Sequence, residues 1–195
     1  MKRQSMRVAV AALIVYGVVY LLAAPVEARG RFPDGYDTQI RDAAERYMPG
    51  IPWQVYKAQL YQESQLKPDA VSPVGARGIA QFMPGTWRDI APAIGAGAAS
   101  PHAVGPAIRA GALYMARLRG EWTAPRPAKD RHSLALASYN AGLGNILAAQ
   151  RAAGGANRYQ PIIDALPRIT GRHAAETRTY VERTWRWFWA MLSGG

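Results

Sequence analysis

The sequence predicts an all-α, compact single domain of short helices, and three observations support this prediction. No stretch alternates apolar and polar residues in the way that a half-buried strand requires. Segments with helical periodicity are separated by glycine and proline, and they are too short and unequal for a regular bundle. The chain has 195 residues, of which 49% are hydrophobic, so it can bury a sizeable core and is not disordered.

Residues 1–28 read as a targeting segment that is separate from this domain. Three basic residues precede an uncharged, mostly apolar run over residues 8–24, and the small residues Val26 and Ala28 follow. This order is typical of a secretory signal peptide, which favours cleavage after Ala28. The run also reaches the lower length limit for a membrane span, so a retained N-terminal membrane anchor is the alternative. Both interpretations place residues 29–195, the expected catalytic domain, outside the cytoplasm.

The first two helices of the mature chain are predicted on either side of Pro49-Gly50. Apolar periodicity indicates a helix from Asp37 to Met48, which the proline and glycine end. Pro52 suits a first helical turn, so the second helix is expected over Trp53 to Ser64. A loop rich in proline and glycine follows this helix.

The rest of the chain is predicted to alternate between helices and glycine- or proline-rich connections. In order, these are a short helix from Thr86 to Ile90, a loop over Ala91–Gly105, a helix over Pro106–Arg119, a basic linker over Thr123–Asp130, a helix over Ser133–Asn140 interrupted by Gly142 and Gly144, and a last helix over Ala174–Leu192. The last helix carries one apolar stripe, composed of Val181, Trp185, Phe188 and Leu192.

Glu63 is the residue whose position suggests chemistry. It shares one face of the second helix with the aromatic and apolar residues Trp53, Tyr56 and Leu60. Burial among such side chains disfavours the charged form of a carboxyl and raises its pKa, which would let Glu63 donate a proton near neutral pH. The alternative is an exposed glutamate in the last turn of a helix, and this is the commoner case when such a residue is taken alone.

Three sequence blocks resemble the motifs of the SLT-type lytic transglycosylases, which cleave peptidoglycan. Residues 63–87 read ESQLKPDAVSPVGARGIAQFMPGTW and resemble the core motif almost throughout. Residues 137–144 read ASYNAGLG and resemble the Tyr-Asn-Ala-Gly motif, and residues 176–181 read ETRTYV and resemble the Glu-Thr-x-x-Tyr-Val motif. The blocks occur in the family's order. The sequence departs from the family's pattern at Ala107-Ile108, where the family usually carries Asn-Ile.

The resemblance implies a goose-type lysozyme-like fold and a reaction with one catalytic carboxyl, that of Glu63. Glu63 would protonate the oxygen leaving N-acetylmuramic acid and then take the proton of the same sugar's C6 hydroxyl. That oxygen would close a 1,6-anhydro ring without water, metal or cofactor. A standard glycosidase needs a second carboxylate, and none stands beside Glu63 in the matched block.

The remaining matched residues are predicted to bind the sugars. This substrate-binding set consists of Ser72, Gly75, Gln81, Met83, Tyr139, Asn140 and Tyr180. For Ser72 a hydrogen bond that caps its own loop is an equally good interpretation, and for Met83 so is core packing. Tyr139 is expected to form a hydrogen bond near Glu63, and Glu176 either ties the last helix to the site or contacts saccharide.

A formal net charge of +11 predicts an acidic partner. Together with the resemblance it favours peptidoglycan glycan strands in the periplasm or cell envelope. The arginines are scattered and no nucleic-acid-binding motif is present, so nucleic acid is not expected as a partner, and the chain is expected to be a monomer. Three alternatives remain open, namely a hydrolytic goose-type lysozyme, a non-catalytic wall-binding or scaffold protein, and a cationic membrane-disrupting protein.

Overall fold

A computed structural model describes residues 32–193, and the predicted signal peptide or anchor, residues 1–28, lies outside this range. The described residues form helices and no strand, which confirms the all-α prediction. The α-helices are α1 (Asp37–Tyr47), α2 (Trp53–Ser64), α3 (Pro84–Ile90), α4 (Val104–Glu121), α5 (Ala128–Ala141), α6 (Leu143–Ala152), α7 (Tyr159–Ala165), α8 (Pro167–Thr170) and α9 (Ala174–Leu192). Short 3-10 turns cover Ala91–Ile94 and Gly171–His173.

Helix α2 packs along α9 on one side and against α1 on another. Helix α4 packs between α1 and α5, and α5 in turn contacts both α6 and α9. One main apolar core joins these helices, and its fully buried side chains include Ile40, Tyr56, Leu60, Ile108, Met115, Leu134 and Ile146. This packing brings the C-terminal end of α2 against α9 and therefore determines where Glu63 lies.

Four predictions about the elements are wrong in detail. The basic linker ends at Pro127 rather than Asp130, because a proline just before the first turn starts α5 instead of breaking it. Residues 91–105 are not wholly a loop, since they include a 3-10 turn and the start of α4. Gly142 has a φ of +86° and turns the chain between two separate helices, α5 and α6. Leu192 continues the predicted stripe but is not part of the core, since it is 47% exposed where α9 extends beyond the core.

Helices α6, α7 and α8 have no counterpart among the predicted elements. The longest of them has 10 residues and the shortest has four, so the apolar pattern repeats too few times to reveal a helical period. Within residues 32–193, no helix combines the length and apolar character needed to cross a membrane.

The departure at Ala107-Ile108 lies inside regular helix. Both residues are fully buried on α4, and the carbonyl of Ile108 accepts a hydrogen bond of 2.6 Å from the Tyr56 hydroxyl. Gly111 allows this approach, because a Cβ there would lie 2.4 Å from the Tyr56 oxygen. The packing of α4 on α2 therefore fixes Tyr56, one of the aromatic side chains around Glu63.

Candidate active site

Glu63 lies in the last turn of α2, next to an abrupt change in chain direction. The following residues Gln65 and Leu66 both have positive φ, at 56° and 62°. The chain therefore leaves the helix axis directly after Ser64 and enters the loop of residues 65–83. This turn leaves the Glu63 side chain at the junction of α2, α9 and the loop instead of on a continuing helix surface.

Tyr180 on α9 forms the direct contact with the candidate catalytic group. Its hydroxyl donates a hydrogen bond of 2.5 Å to Oε1 of Glu63. Tyr180 is 5% exposed, so the hydroxyl is held at the carboxyl by packing rather than by chance contact. Sequence reasoning assigned Tyr180 to the sugars; the structure places its hydroxyl on Glu63 instead, and its predicted role in substrate binding is not tested by this contact.

Three tyrosines surround Glu63, of which Tyr56 and Tyr180 are buried and Tyr139 is partly buried. For Tyr56, Tyr139 and Tyr180, burial raises the pKa well above the usual value, and the charge of a Glu63 carboxylate raises each pKa further. All three hydroxyls therefore keep their protons at neutral pH. They surround the carboxyl with polar but uncharged groups.

The pKa of Glu63 is raised from 4.5 to about 8. Burial is the largest cause, because it disfavours the carboxylate, and the hydrogen bond from Tyr180 acts in the opposite direction by stabilising the carboxylate. At pH 7 the carboxyl is therefore mostly protonated. A carboxylic acid in this state can donate a proton to a leaving oxygen and then act as a base.

Within residues 32–193, no ion pair with this carboxyl is found. The ion pairs of this range include those of Lys57 with Asp37, Arg158 with Asp130 and Arg178 with Asp164, and none of them includes Glu63. An arginine or lysine beside Glu63 would lower its pKa and hold it as a carboxylate. The arrangement of groups around it preserves the acid form.

The loop of residues 65–83 is tied to the site from two sides. Ser64, the partner of Glu63 in the first block, donates a hydrogen bond of 2.8 Å to the carbonyl of Ile79. Tyr139 of α5 donates one of 2.7 Å to the carbonyl of Ala80. Gly78 lets the loop pack closely, because its φ is +75° and a Cβ there would lie 1.9 Å from the Pro101 carbonyl oxygen. The loop therefore has one fixed position next to Glu63.

Ser72 and Gln81 are engaged inside this loop. The hydroxyl oxygen of Ser72 accepts a hydrogen bond of 2.9 Å from the Ala76 amide, which favours the loop-capping interpretation. The side-chain nitrogen of Gln81 donates to the carbonyls of Ala70 and Gly78, at 3.3 and 2.9 Å. The amide oxygen of Gln81 is the group left for a sugar, so its predicted role in binding rests on that atom.

The other predicted binding residues lie around the same loop. Gly75 has a φ of +86° and open space where a Cβ would point, so it is required by the turn rather than by close packing. Met83 is partly buried and directly precedes α3. Asn140 accepts a hydrogen bond of 2.8 Å from the Thr177 hydroxyl and so joins α5 to α9. This bond connects the second sequence block to the third.

Sequence reasoning did not identify Gln59, which lies one turn before Glu63 on α2. Its side chain is 1% exposed, and neither of its amide atoms has hydrogen-bond geometry with another described group. The amide is nevertheless close enough to Tyr180 to lower the pKa of that hydroxyl. The spacing of four residues from Glu63 was the available signal, since it places both side chains on one helix face.

The tryptophans of α9 differ in exposure. Trp185 donates a hydrogen bond of 2.9 Å to Ser133 and packs edge-on against His132, which supports core packing. Trp187 donates one of 3.0 Å to Gln62, the neighbour of Glu63. Trp189 is 57% exposed. Of the three, Trp187 is the one connected to the active-site end of α2.

Comparison with known proteins gives one family. The family model described as the transglycosylase SLT domain matches residues 40–162. A curated relative from Desulfosudis oleivorans, named membrane-bound lytic murein transglycosylase F, is 32% identical over 145 residues. That alignment covers 72% of this chain and 30% of the relative. A relative of the same name from Serratia proteamaculans is 34% identical over 111 residues, which is 57% of this chain and 22% of the relative.

Solved structures agree with this family. An inactive glutamate-to-glutamine variant of the lytic transglycosylase Slt from Pseudomonas aeruginosa superimposes with a TM-score of 0.65 at 26% identity, over 84% of this chain and 25% of that one. The 70-kDa soluble lytic transglycosylase of Escherichia coli gives a TM-score of 0.60 at 26% identity, over 83% of this chain and 24% of that one. The lysozyme-like fold predicted from the sequence is thereby confirmed. The chain spans between a fifth and a third of the length of these proteins.

Proposed function

We propose that this chain, which belongs to the transglycosylase SLT domain family, is a peptidoglycan lytic transglycosylase. It cleaves the β-1,4 bond between N-acetylmuramic acid and N-acetylglucosamine without consuming water. The product strands end in 1,6-anhydro-N-acetylmuramic acid. The curated relatives carry the name lytic murein transglycosylase, which supports this reaction and substrate.

The observation that carries the proposal is the state of Glu63. Its side chain is partly buried, its carboxyl lies among three neutral tyrosines, it has no cationic partner in the described part of the chain, and its pKa is raised to about 8. A wall-binding or scaffold protein has no use for such a group, because burying a carboxyl without a cation is unfavourable for folding. The same observation argues against a protein that only disrupts membranes.

Glu63 performs two proton transfers in the proposed mechanism. As an acid it gives its proton to the glycosidic oxygen, and the bond between that oxygen and C1 of N-acetylmuramic acid breaks. The N-acetyl group of the same sugar stabilises the positive charge at C1. The Glu63 carboxylate then takes the proton of the C6 hydroxyl, whose oxygen bonds to C1 and closes the anhydro ring. The enzyme returns to its protonated state, and no atom of water enters the product.

The surroundings of Glu63 support an internal nucleophile. Within residues 32–193, the causes of its raised pKa are burial and the opposing hydrogen bond of Tyr180, and no neighbouring carboxylate contributes. A retaining glycosidase needs a second carboxylate about 5 Å away and an inverting one needs it somewhat farther off. The hydroxyl of Tyr180 stabilises the carboxylate that Glu63 becomes after the first proton transfer. It therefore favours the change of Glu63 from acid to base.

The substrate lies along the loop of residues 65–83 in this proposal. The amide oxygen of Gln81 and the side chains of Met83 and Asn140 contact the sugars, whereas Ser72 and Gly75 shape the loop that holds them. Tyr139 contacts both the loop and the bound sugar. Tyr180 contacts both Glu63 and the bound sugar. The site needs no metal or cofactor.

The protein acts at the cell envelope in this proposal, on the periplasmic side. Two curated relatives are named membrane-bound, and residues 1–28 have the sequence of a signal peptide or an N-terminal anchor. A net charge of +11 attracts the chain to the acidic wall. It works there as a monomer on glycan strands and not on nucleic acid.

Digestion of purified peptidoglycan in heavy-oxygen water tests the reaction. We expect muropeptides whose muramic ends are 1,6-anhydro rings and carry no heavy oxygen, as measured by mass spectrometry. Mutanolysin, a hydrolase, provides the control in which every new reducing end is labelled. Labelled reducing ends as the main product of this chain would replace the proposal with a hydrolytic lysozyme, and the absence of any cleavage would favour a binding protein.

A further inference from the structure

A cluster of three arginines lies at the connection between α4 and α5. Arg119 is in the last turn of α4, Arg126 is in the connection, and Arg131 is in the first turns of α5. The cluster belongs to none of the three sequence blocks, and no hydrogen bond or ion pair of the described residues links it to Glu63. It is therefore not accounted for by the proposed reaction.

Two guanidinium groups of this cluster hold buried donors without acceptors. Nη1 of Arg126 and Nε of Arg131 are both shielded from solvent, and neither has a hydrogen-bond partner among residues 32–193. An unsatisfied buried donor is costly for folding, and more so when it is charged. Two such donors in one cluster are therefore available to an acceptor.

The charges of the cluster are compensated only in part. Burial is the largest cause that lowers the pKa of Arg119 and of Arg126, and the charge of Arg131 lowers both further. The carboxylate of Asp130 acts in the opposite direction and raises the pKa of Arg126. It is already paired with Arg158 at 2.5 Å and accepts the backbone amide of Tyr159 at 3.2 Å.

Neutral groups hold two of the arginines in place. Arg119 lies 2.9 Å from Nδ1 of His132, and because arginine is a donor only, this histidine nitrogen accepts. His132 is neutral, since burial lowers its pKa to about 3. Arg126 stacks over the ring of Trp122 at 5.2 Å and donates to the Ala124 carbonyl at 3.1 Å. These contacts orient the guanidinium groups without cancelling their charge.

The start of α5 adds to the positive potential. The helix has 14 residues and no side chain caps its N-terminus. Its first turn carries partial positive charge from backbone amides, and it also holds the carboxylate of Asp130, which is paired with Arg158. Arg126 directly precedes Pro127, the N-cap residue, so the side-chain and backbone donors come from the same few residues.

We propose that Arg119, Arg126 and Arg131, together with the N-terminus of α5, form a binding site for a phosphate group. Guanidinium groups bind phosphate through paired hydrogen bonds, and three positive charges with no free carboxylate suit an anion that carries more than one negative charge. A single carboxylate would leave most of the charge uncompensated. The phosphate is either free in solution or part of a lipid headgroup. This inference does not depend on the proposed function.

Calorimetric titration of inorganic phosphate into the full chain tests the site, with sodium acetate and sodium chloride at the same ionic strength as comparisons. We expect saturable binding of phosphate, an increase in Tm that acetate does not produce, and no saturable binding of chloride. Arg126→Gln and Arg131→Gln should each weaken phosphate binding at least tenfold. Arg126→Lys keeps the charge but not the paired geometry, so it should lie between wild type and Arg126→Gln. Arg88→Gln, which removes an exposed arginine of α3, should bind phosphate like wild type.

Vesicles distinguish the two sources of phosphate. With phosphatidylglycerol vesicles, a greater loss of binding for Arg126→Gln than for Arg88→Gln assigns the site to a lipid headgroup, whereas equal losses assign it to free phosphate. Phosphatidylcholine vesicles give the background. Wild type that binds phosphate no better than acetate would overturn the proposal, as would folded Arg126→Gln and Arg131→Gln variants with wild-type affinity. Circular dichroism shows whether each variant is folded. If a glutamine variant is not folded, the phosphate affinity of Arg126→Lys tests the site instead.

Discussion

Helix α2 carries one lysine and one glutamate, six residues apart, and the protein treats them in opposite ways. Lys57 is 5% exposed and forms an ion pair of 2.5 Å with Asp37 of α1. Its ammonium group also lies 5.8 Å from the centre of the Trp53 ring. Glu63 has no cationic partner in the described range and receives one hydrogen bond, from Tyr180.

The difference between the two ends of α2 shows how one helix serves both folding and chemistry. At Lys57 the charge is retained and compensated, so the group links α1 to α2. At Glu63 the charge is disfavoured, so the group keeps a proton at neutral pH and can release it. Removing the partner of a buried charge destabilises the fold, whereas a desolvated carboxyl without a partner is available for proton transfer.

Replacing Glu63 should produce the largest effect on activity. Glu63→Gln keeps the size of the side chain and can still accept the hydrogen bond of Tyr180, but it has no proton to transfer. We expect release of muropeptides from purified wall to fall by at least about 100-fold, the scale of general acid–base catalysis. Binding to wall should be unchanged, as measured by co-sedimentation.

Glu63→Gln should also change how the unfolding free energy depends on pH, which loss of activity alone would not do. The folded pKa of Glu63 lies above its unfolded value, so the unfolded state ionises first as pH rises. Wild type should therefore lose unfolding free energy relative to Glu63→Gln between about pH 4.5 and pH 8. Denaturant titrations of both proteins at several pH values measure this, and parallel curves would contradict the assigned pKa.

Replacing Lys57 should have the reverse pattern, with a large effect on stability and little on chemistry. Lys57→Met leaves the Asp37 carboxylate without its partner, and we expect the unfolding free energy to fall by about 3 kcal/mol. Activity per folded molecule should stay within about twofold, because Lys57 lies two turns from Glu63. The double variant with Asp37→Leu should recover part of the stability. A loss of activity comparable to that of Glu63→Gln would remove the distinction between the two ends.

Much of the candidate site was predictable, because its residues occur in compact sequence blocks. The periodicity of α2 placed Glu63 beside Tyr56 and Leu60, and the blocks indicated the loop and the tyrosines around it. The closest contact of Glu63 was not predictable, since Tyr180 is 117 residues away along the chain. Only the packing of α9 on α2 brings the two side chains together.

The same limit explains some of the other omissions, and a local ambiguity explains one error. The pair of Lys57 with Asp37 depends on how α1 crosses α2, which periodicity does not determine. Ser72 could equally bind sugar or cap its loop, and only the position of the Ala76 amide favours the cap. The Pro-rich stretch before Ala128 looked like a linker, because a proline breaks a helix in its interior but starts one at its N-terminus.

Removing the Tyr180 hydroxyl should have the smallest effect of the three changes at these sites. The hydroxyl stabilises the carboxylate form, so its loss raises the pKa of Glu63 further. In Tyr180→Phe, the decline of activity at alkaline pH should shift to higher pH than in wild type. Turnover at neutral pH should fall, because the carboxylate formed after the first proton transfer loses its donor. Rates of wall cleavage from pH 5 to pH 10 provide the measurement, and a shift of the decline to lower pH would contradict this role.

Titration of the Glu63 carboxyl itself decides whether this group is the acid. Protein labelled with carbon-13 at the glutamate side-chain carboxyls gives one resonance for each glutamate, and Glu63→Gln identifies the resonance of Glu63 by its absence. We expect this carboxyl to titrate at about pH 8, with the other glutamates as internal comparisons. A Glu63 resonance that titrates near pH 4.5, the ordinary value, would show that the carboxyl is ionised at neutral pH and cannot serve as the acid there.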